Sequence, residues 1–378
     1  MHLPGLDGIR CIAALAVFVS HAEQTKDWLG RRSFFEPIGH ALGEQSVQLF
    51  FVLSGFLITY LCFVEQRDAG RIDVGRFYVR RALRIWPMYF ALVFVGFLVI
   101  PRWVPHASPA LSHAAQAMVR AAPSVRDPRF VLYLLLLPQV AYVAWPAVLS
   151  LGPLWSIGVE EQFYLFWPLL MRAFGRRPLR LFVSLLAVKL ALHEVFMRWP
   201  ALSRPIVGDE LTTFFAGYVS ACRFEAMILG AMGAYWAFFH ERAVRAFAER
   251  APVHALAWGA LPFSIAAHVL VYAKRALPEE LMFFPPVWCA LLIVVVSHRT
   301  RAPIALENRV SNAIGRVSYG FYMIHVPVLM VVWSALESAG LDHGALFYVA
   351  ALGLTLALAM ISYRWFESPF LRLKRRFV

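Results

Sequence analysis

Charge is scarce in this chain of 378 residues: only 16% are Asp, Glu, Lys or Arg, and just 23 are acidic. With 60% hydrophobic residues the polar surface is too small to coat a soluble globule, so a soluble class is excluded. Cysteine is scarce as well. The four present, Cys11, Cys62, Cys222 and Cys289, each lie in an apolar stretch, which excludes a disulfide framework or a zinc spacing and leaves them as small buried hydrophobes. The dyad alternation of an outer-membrane barrel is missing, and so are internal repeats and low-complexity linkers. What is left is an all-α, polytopic transmembrane helical bundle, whose 15% aromatic content suits lipid-facing Phe and interfacial Trp and Tyr.

Hydrophobic runs long enough to span, roughly 17–25 residues, fall near 6–25, 46–65, 86–103, 153–172, 178–198, 213–239, 253–273, 280–298, 313–336 and 345–365. They predict about ten spans. A further apolar stretch, 130–149, would reverse everything after it if it crossed. Charge arbitrates: with both termini inside, the loops 66–85, 173–177, 240–252 and 299–312 and the end after 365 hold most of the arginines. A crossing at 130–149 would put Arg172, Arg176, Arg177 and Arg180 outside, so a re-entrant or peripheral hairpin around Pro138 is expected instead. Of the 36 basic residues 32 are Arg, and they orient the protein, so nucleic-acid binding is not the reading. A cleaved leader at the start is the rival to a first span, and Asp7 sits badly in a positive leader region.

Ionisable groups inside a bilayer cost roughly 2.5–3.5 kcal/mol each on insertion scales, which makes each a functional candidate. Arg10 and His21 have ten residues between them in LPGLDGIRCIAALAVFVSHA. That puts them about three turns and about 16 Å apart on one helix face. Taken singly, Arg10 reads as a positive-inside anchor and His21 as an interfacial histidine. Glu160 and Glu161, in LWSIGVEEQFYL, reach the same expected depth as His21 and lie beyond the first turn that Pro153 opens. A carboxylate beside His21 would fix its tautomer and raise its basicity. Arg80, Arg81 and Arg84 in FYVRRALRIWPMYF suit either inner-side anchoring or an anionic cofactor, because the guanidinium fork binds phosphate bidentately. His325 and Glu225 fall near the bilayer middle, where either could be a structural partner, Glu225 for instance of Arg223 or Arg316.

The segments LDGIRCIAALAVFVSH, QLFFVLSGFLIT, FYVRRALRIWPMY, LWSIGVEEQFYL, RFEAMILGAM, SYGFYMIHVPV and SYRWFESPF, in this order, resemble the membrane acyltransferase-3 family of bacterial O-acyltransferases. Each motif is weak alone; seven in order from residue 3 to about 370 are specific. The resemblance implies one membrane domain over 1–370, a basic cytoplasmic tail over 371–378 and no extra soluble domain. It implies an inner-membrane location and transfer of an acyl group, usually acetyl, from cytoplasmic acyl-CoA to a carbohydrate hydroxyl outside. Residue by residue, it carries the family's arginine-ten-histidine motif onto Arg10 and His21, its inner arginine pair onto Arg80 and Arg81, and its glutamate pair onto Glu160 and Glu161. Two positions depart: Glu225 stands where many members have Asp, and Ser368 interrupts the usual ending around Glu367 and Pro369.

On this reading His21, Glu160 and Glu161 are catalytic and Arg10, Arg80 and Arg81 bind the cofactor, with no metal. Coenzyme A phosphates would rest at the arginines, and the thioester would reach His21, acting as general base or transient acyl carrier. Further candidates are His325, Tyr319, Glu225 and Trp155; Trp155, Trp145 and the 104–152 segment would rim the acceptor entrance. Partners are acyl-CoA, a carbohydrate or lipid-linked glycan acceptor and the lipid bilayer. The alternative is a proton-coupled secondary transporter or flippase, which also buries Arg, His and Glu in a bundle but for which no inverted repeat is visible. The sequence does not name the acceptor, the acyl group or the oligomeric state.

Overall fold

A computed structural model describes residues 3–28, 33–100, 125–145, 148–274, 284–298, 306–341 and 344–377; among them every regular element is helical. In chain order these are α1 (Leu6–Trp28), α2 (Glu36–Ala69), α3 (Val74–Phe94), α4 (Pro128–Leu134), α5 (Pro138–Ala144), α6 (Leu154–Phe174), α7 (Pro178–His193) and α8 (Pro200–Val207). Then follow α9 (Asp209–Ala221), α10 (Phe224–Phe239), α11 (Glu241–Ala248), α12 (Ala251–Lys274), α13 (Phe284–His298), α14 (Arg309–Ser338), α15 (Ala345–Ser362) and α16 (Ser368–Lys374).

Among the described residues six helical stretches are long and apolar enough to cross a membrane: Ile38–Ala69, Val74–Val99, Asp209–Phe239, Ala251–Leu270, Arg309–Ser338 and Ala345–Phe377. Over the described residues each of the ten expected runs is largely helical, with a break at Cys222–Arg223 in the sixth, but four miss the standard of length and composition. α1 carries Asp7, Arg10, Glu23, Lys26 and Asp27, and α6 carries Glu160, Glu161 and Arg172. The run of α7 continues through a π turn to Arg198 but carries Arg180, Lys189, Glu194 and Arg198, and α13 has 15 described residues. By these measures the described residues give six spans, and the expected count of about ten is not confirmed.

The 130–149 stretch is not one continuous span. It breaks into α4 and α5, of seven residues each, so each reaches about 10 Å, a third of the hydrocarbon thickness. Between them Leu136 takes φ 61, the left-handed conformation that reverses the chain, and Pro138 opens α5 where its missing N–H costs nothing. Asp127 caps α4 by accepting from the Arg129 N–H and pairs with the Arg129 guanidinium at 2.6 Å. That bond holds the Asp127 carboxyl below the usual range.

The chain divides into two compact units. The first comprises Met1–Ala13, Glu44–Phe77 and Val159–Asn312; in it α10 packs on α7 and α13, and α13 on α11 and α12. The α2 portion of this unit meets α10 through glycines. A Cβ on Gly55 would lie 2.0 Å from the Met227 carbonyl oxygen, and one on Gly230 would lie 2.0 Å from the Val52 carbonyl oxygen. Each glycine thus lets the other helix's backbone approach, the small-residue packing that replaces a hydrophobic drive in lipid. The second unit comprises Ala14–Gly43, Tyr78–Gly158 and Ala313–Val378. There Phe18, Tyr89, Phe97, Phe321, Trp333 and Phe347 are fully buried. The four cysteines are free and buried, as their apolar settings predict.

Because backbone carbonyls block both sites, Gly55→Ala or Gly230→Ala is expected to cost about 1–3 kcal/mol by overpacking. The check is the thermal midpoint of purified protein in detergent, with Gly353→Ala, which has open space around its Cβ, unchanged.

Candidate active site

Two imidazoles meet in the second unit. α1 puts Phe18 and His21 one turn apart on one face, and α14 does the same with Phe321 and His325. The matching pairs dock: Phe18 lies against Phe321 with centroids 5.9 Å apart, and the His21 and His325 rings lie 4.9 Å apart. His325 is fully buried, with the Phe321 ring nearly parallel to it at 5°; His21 is half-buried.

The hydrogen bonds of this pair fix its protons. His325 Nδ1 lies 2.6 Å from the carbonyl oxygen of Tyr322, and a carbonyl only accepts, so Nδ1 carries the hydrogen. In the neutral ring His325 Nε2 is then an acceptor, and its partner at 2.7 Å, His21 Nδ1, must donate. The lone pair of His21 is left on Nε2. A backbone carbonyl thereby sets, through two rings, which nitrogen of His21 can take a proton. Beside the pair, the Tyr322 hydroxyl lies 2.8 Å from Ser156 Oγ, and both face the Pro153 carbonyl, at 3.3 and 3.0 Å. This joins the first turn of α6 to α14.

Other predicted residues sit as follows. Tyr319, on α14, donates to the Ile85 carbonyl of α3 at 2.8 Å. Arg80 donates from Nη1 to the Phe377 carbonyl at 3.0 Å, and Arg81 follows it on α3, half-buried. Trp155 stacks on Tyr142 with centroids 5.6 Å apart, Trp145 is exposed, and 104–124 of the expected rim lies outside the described residues.

Arg10, Glu160, Glu161 and Glu225 belong to the first unit. Arg10 pairs with Asp7 one turn before it, at 2.7 Å. Glu160 accepts from the Tyr164 hydroxyl at 2.8 Å, and that hydroxyl also bonds Ser54 Oγ. Glu225 pairs with Lys189 of α7 at 3.3 Å, and not with Arg223, which binds Glu44 at 2.7 Å. The cause is that α7 packs on α10, while Arg223 stands at the break before α10 and reaches α2. His268 joins Glu44 at 3.6 Å. Lys189 had a readable signal, a lone ammonium inside SLLAVKLALH.

A second cluster escaped the sequence reading. The buried Glu23 carboxylate accepts from the Phe34 and Phe35 N–H groups at 2.7 and 2.9 Å and from the Ser33 and Tyr348 hydroxyls. Lys26 lies 3.5 Å over the Phe34 ring and 3.4 Å from the Tyr348 hydroxyl. These bonds clasp residues 33–35 and the start of α15 onto α1, one turn past His21. An acid near the end of an apolar helix was the available signal.

The model of the acyltransferase-3 domain family, described as an acyltransferase domain, matches residues 3–364. Among curated proteins the chain is 26% identical over 389 residues to "Putative O-acetyltransferase SACOL0978" of Staphylococcus aureus strain COL, covering 98% of this chain and 57% of that protein. It is 25% identical over 375 residues to "O-acetyltransferase OatA" of Staphylococcus aureus strain NCTC 8325, covering 97% and 57%. The chain thus spans 57% of the length of these relatives. No solved structure matches.

The proton assignment is open to direct measurement. In protein labelled with 15N-histidine, both His21 and His325 are expected in the Nδ1–H form, identified by difference against single variants. His325→Ala is expected to release His21 into a mixture of tautomers; an unchanged His21 signal would refute the chain of bonds.

Proposed function

This chain belongs to the acyltransferase-3 domain family, and from that premise we propose that it is a multi-pass membrane O-acetyltransferase moving an acetyl group from acyl-CoA to a carbohydrate hydroxyl. The observation that carries the reading is the His21–His325–Tyr322 chain of bonds, which leaves His21 Nε2 as a base. The names of the relatives support acetyl as the group and oxygen as its acceptor.

His21 Nε2 accepts the proton of the attacking hydroxyl and hands it to the departing thiol as the thioester bond breaks. His325 stabilises the imidazolium formed in between, because its Nε2 keeps accepting from His21 Nδ1. The acyl donor supplies the activated carbonyl and a leaving thiol. Arg80 and Arg81 would hold its phosphates, as guanidinium groups on consecutive residues of α3 with Arg84 one turn on. Trp155, stacked on Tyr142, offers an aromatic face to a sugar ring. Glu160 and Glu161 enter this reading through the family motif. The donor end faces the cytoplasm and the acceptor end the outside of an inner membrane, an orientation that rests on the arginine distribution.

A second reading, a proton-coupled transporter, draws on one observation: the ionisable groups Lys189, Glu225, Arg223, Glu44 and His268 inside the first unit. Lys189 and Arg223 each face a carboxylate of their own, so these two pairs carry no net charge, as a structural network would.

Purified protein in lipid nanodiscs separates the two readings through acetyl-CoA binding and slow hydrolysis. His21→Ala is expected to bind acetyl-CoA normally and to lose about 10²–10⁴-fold in thiol release, the usual worth of a general base. Arg80→Gln with Arg81→Gln is expected to lose binding. A wild-type protein that neither binds nor consumes any acyl-CoA would overturn the transferase reading and favour the transporter.

A further inference from the structure

α5 lies on α6 in antiparallel register. Tyr142 stacks on Trp155 with centroids 5.6 Å apart, and one turn along Gln139 seats on Gly158. Gln139 and Tyr142 share a face of α5, as Trp155 and Gly158 share a face of α6, because three residues make nearly one turn. The missing side chain of Gly158 admits the seat: a Cβ there would lie 1.9 Å from Gln139 Oε1 and 2.7 Å from Pro138 Cδ. On its other side the hairpin is bound to α3. The Tyr89 hydroxyl donates to the Tyr133 carbonyl at 2.9 Å, and Phe97 lies against Phe130 and Tyr133 with centroids 5.1 and 5.2 Å apart.

Gln139 is fully buried in this seam. Its Oε1 and Nε2 both lack a hydrogen-bond partner among the described residues. The amide carries two donors and an acceptor, and burying them unmatched opposes folding. Packing does not ask for an amide here, since Leu or Met would fill about the same volume without that penalty. Lys189, Arg223 and Glu23 find their partners inside the chain, whereas Gln139 does not, so its partner has to be sought outside the chain.

The chemistry of the amide and its place narrow that partner. The group is neutral, so a phosphate or carboxylate would bring it an unbalanced charge. It donates and accepts at neighbouring atoms, which suits another amide or a pair of hydroxyls. A sugar ring would carry several hydroxyls into the seam, and one amide would leave most of them unpaired. The pantetheine arm of coenzyme A instead has two secondary amides spaced along a narrow chain, and each needs a partner once the thioester enters the bundle. Position agrees with this. Gln139, Tyr322, His21 and His325 belong to the same unit, and Ser156, two residues before Gly158, bonds the Tyr322 hydroxyl while the Tyr322 carbonyl holds His325.

We propose that Gln139 binds an amide of the pantetheine arm of acyl-CoA, its carbonyl accepting the arm's N–H and its NH2 donating to the arm's carbonyl, with α5 moving off α6 to let the arm in. This rests on the transferase reading above. The unmatched amide weakens the closed seam and the arm's amide relieves it, so the ligand that needs the opening also favours it.

The measurement is hydrolysis of acetyl-CoA, S-acetylpantetheine and ethyl thioacetate, a thioester without amides, by the full chain in nanodiscs, with thermal midpoints alongside. Gln139→Leu is expected to lower kcat/KM about tenfold for the first two donors, mainly through KM, and to leave ethyl thioacetate unchanged. Gln139→Asn, which keeps an amide on a shorter stem, should fall between. Without ligand the thermal midpoint of Gln139→Leu is expected to hold or rise, because a buried unpaired group is removed. A lower midpoint with equal losses on all three thioesters would mean a structural amide and overturn the proposal. So would unchanged donor kinetics, or a loss that shows only when a sugar acceptor is supplied. Wild-type protein that hydrolyses neither acetyl-CoA nor S-acetylpantetheine would instead sink the transferase reading, and the proposal with it.

Discussion

Hydrocarbon cannot supply the other end of a hydrogen bond, and every polar group carried into this bundle has to find that end within the chain or in what it binds. The helices satisfy the backbone, and several of the ionisable side chains follow the same rule by pairing. Lys189 meets Glu225, Arg223 meets Glu44, and Glu23 gathers two N–H groups and two hydroxyls. The histidine pair obeys it more cheaply still. A carboxylate on His21 Nδ1 would carry a full charge into the interior, whereas a neutral imidazole that ends on a backbone carbonyl carries none. Orientation of the base is obtained from the helix itself: the Tyr322 carbonyl is one turn before His325 on the same α14.

What could be read in advance follows from whether a property is local. The apolar length of a run is local, and over the described residues all ten runs became largely helical. Whether a run is apolar enough throughout is a matter of each charge it carries, and those at the ends of α1 and the glutamate pair inside α6 removed them from the clear spans. The break at Pro138 was legible because proline opens a helix wherever it falls, and the reversal at Leu136 adds the turn that no residue type announced. Partners were the illegible part. His325 and Glu225 were marked by the cost of their depth, but which group each meets depends on which helices pack, and Lys189 reached Glu225 only because α7 lies on α10.

The same distinction separates the two candidate ends of the site. The arginines of α3 are conspicuous in sequence because they are consecutive. The segment that returns to Arg80 lies nearly three hundred residues later, and nothing in LRLKRRFV says that its carbonyl and not its charges makes the contact. A basic tail read alone is an orientation signal. Bonded through the Phe377 carbonyl to Arg80, it is placed against α3 as well.

α14 joins these ends. Within seven residues Tyr319 bonds the Ile85 carbonyl, Gly320 admits Glu367, Tyr322 meets Ser156, and His325 meets His21. The contacts fan around the helix, which is why Gly320, Phe321, Tyr322, Met323 and His325 are buried on every side and the stretch has no lipid face. From Tyr319 to His325 the helix fixes a separation of about 9 Å. A loop at this place would let the Ile85 turn of α3 and the histidine pair drift relative to each other, and a helix held by these contacts does not.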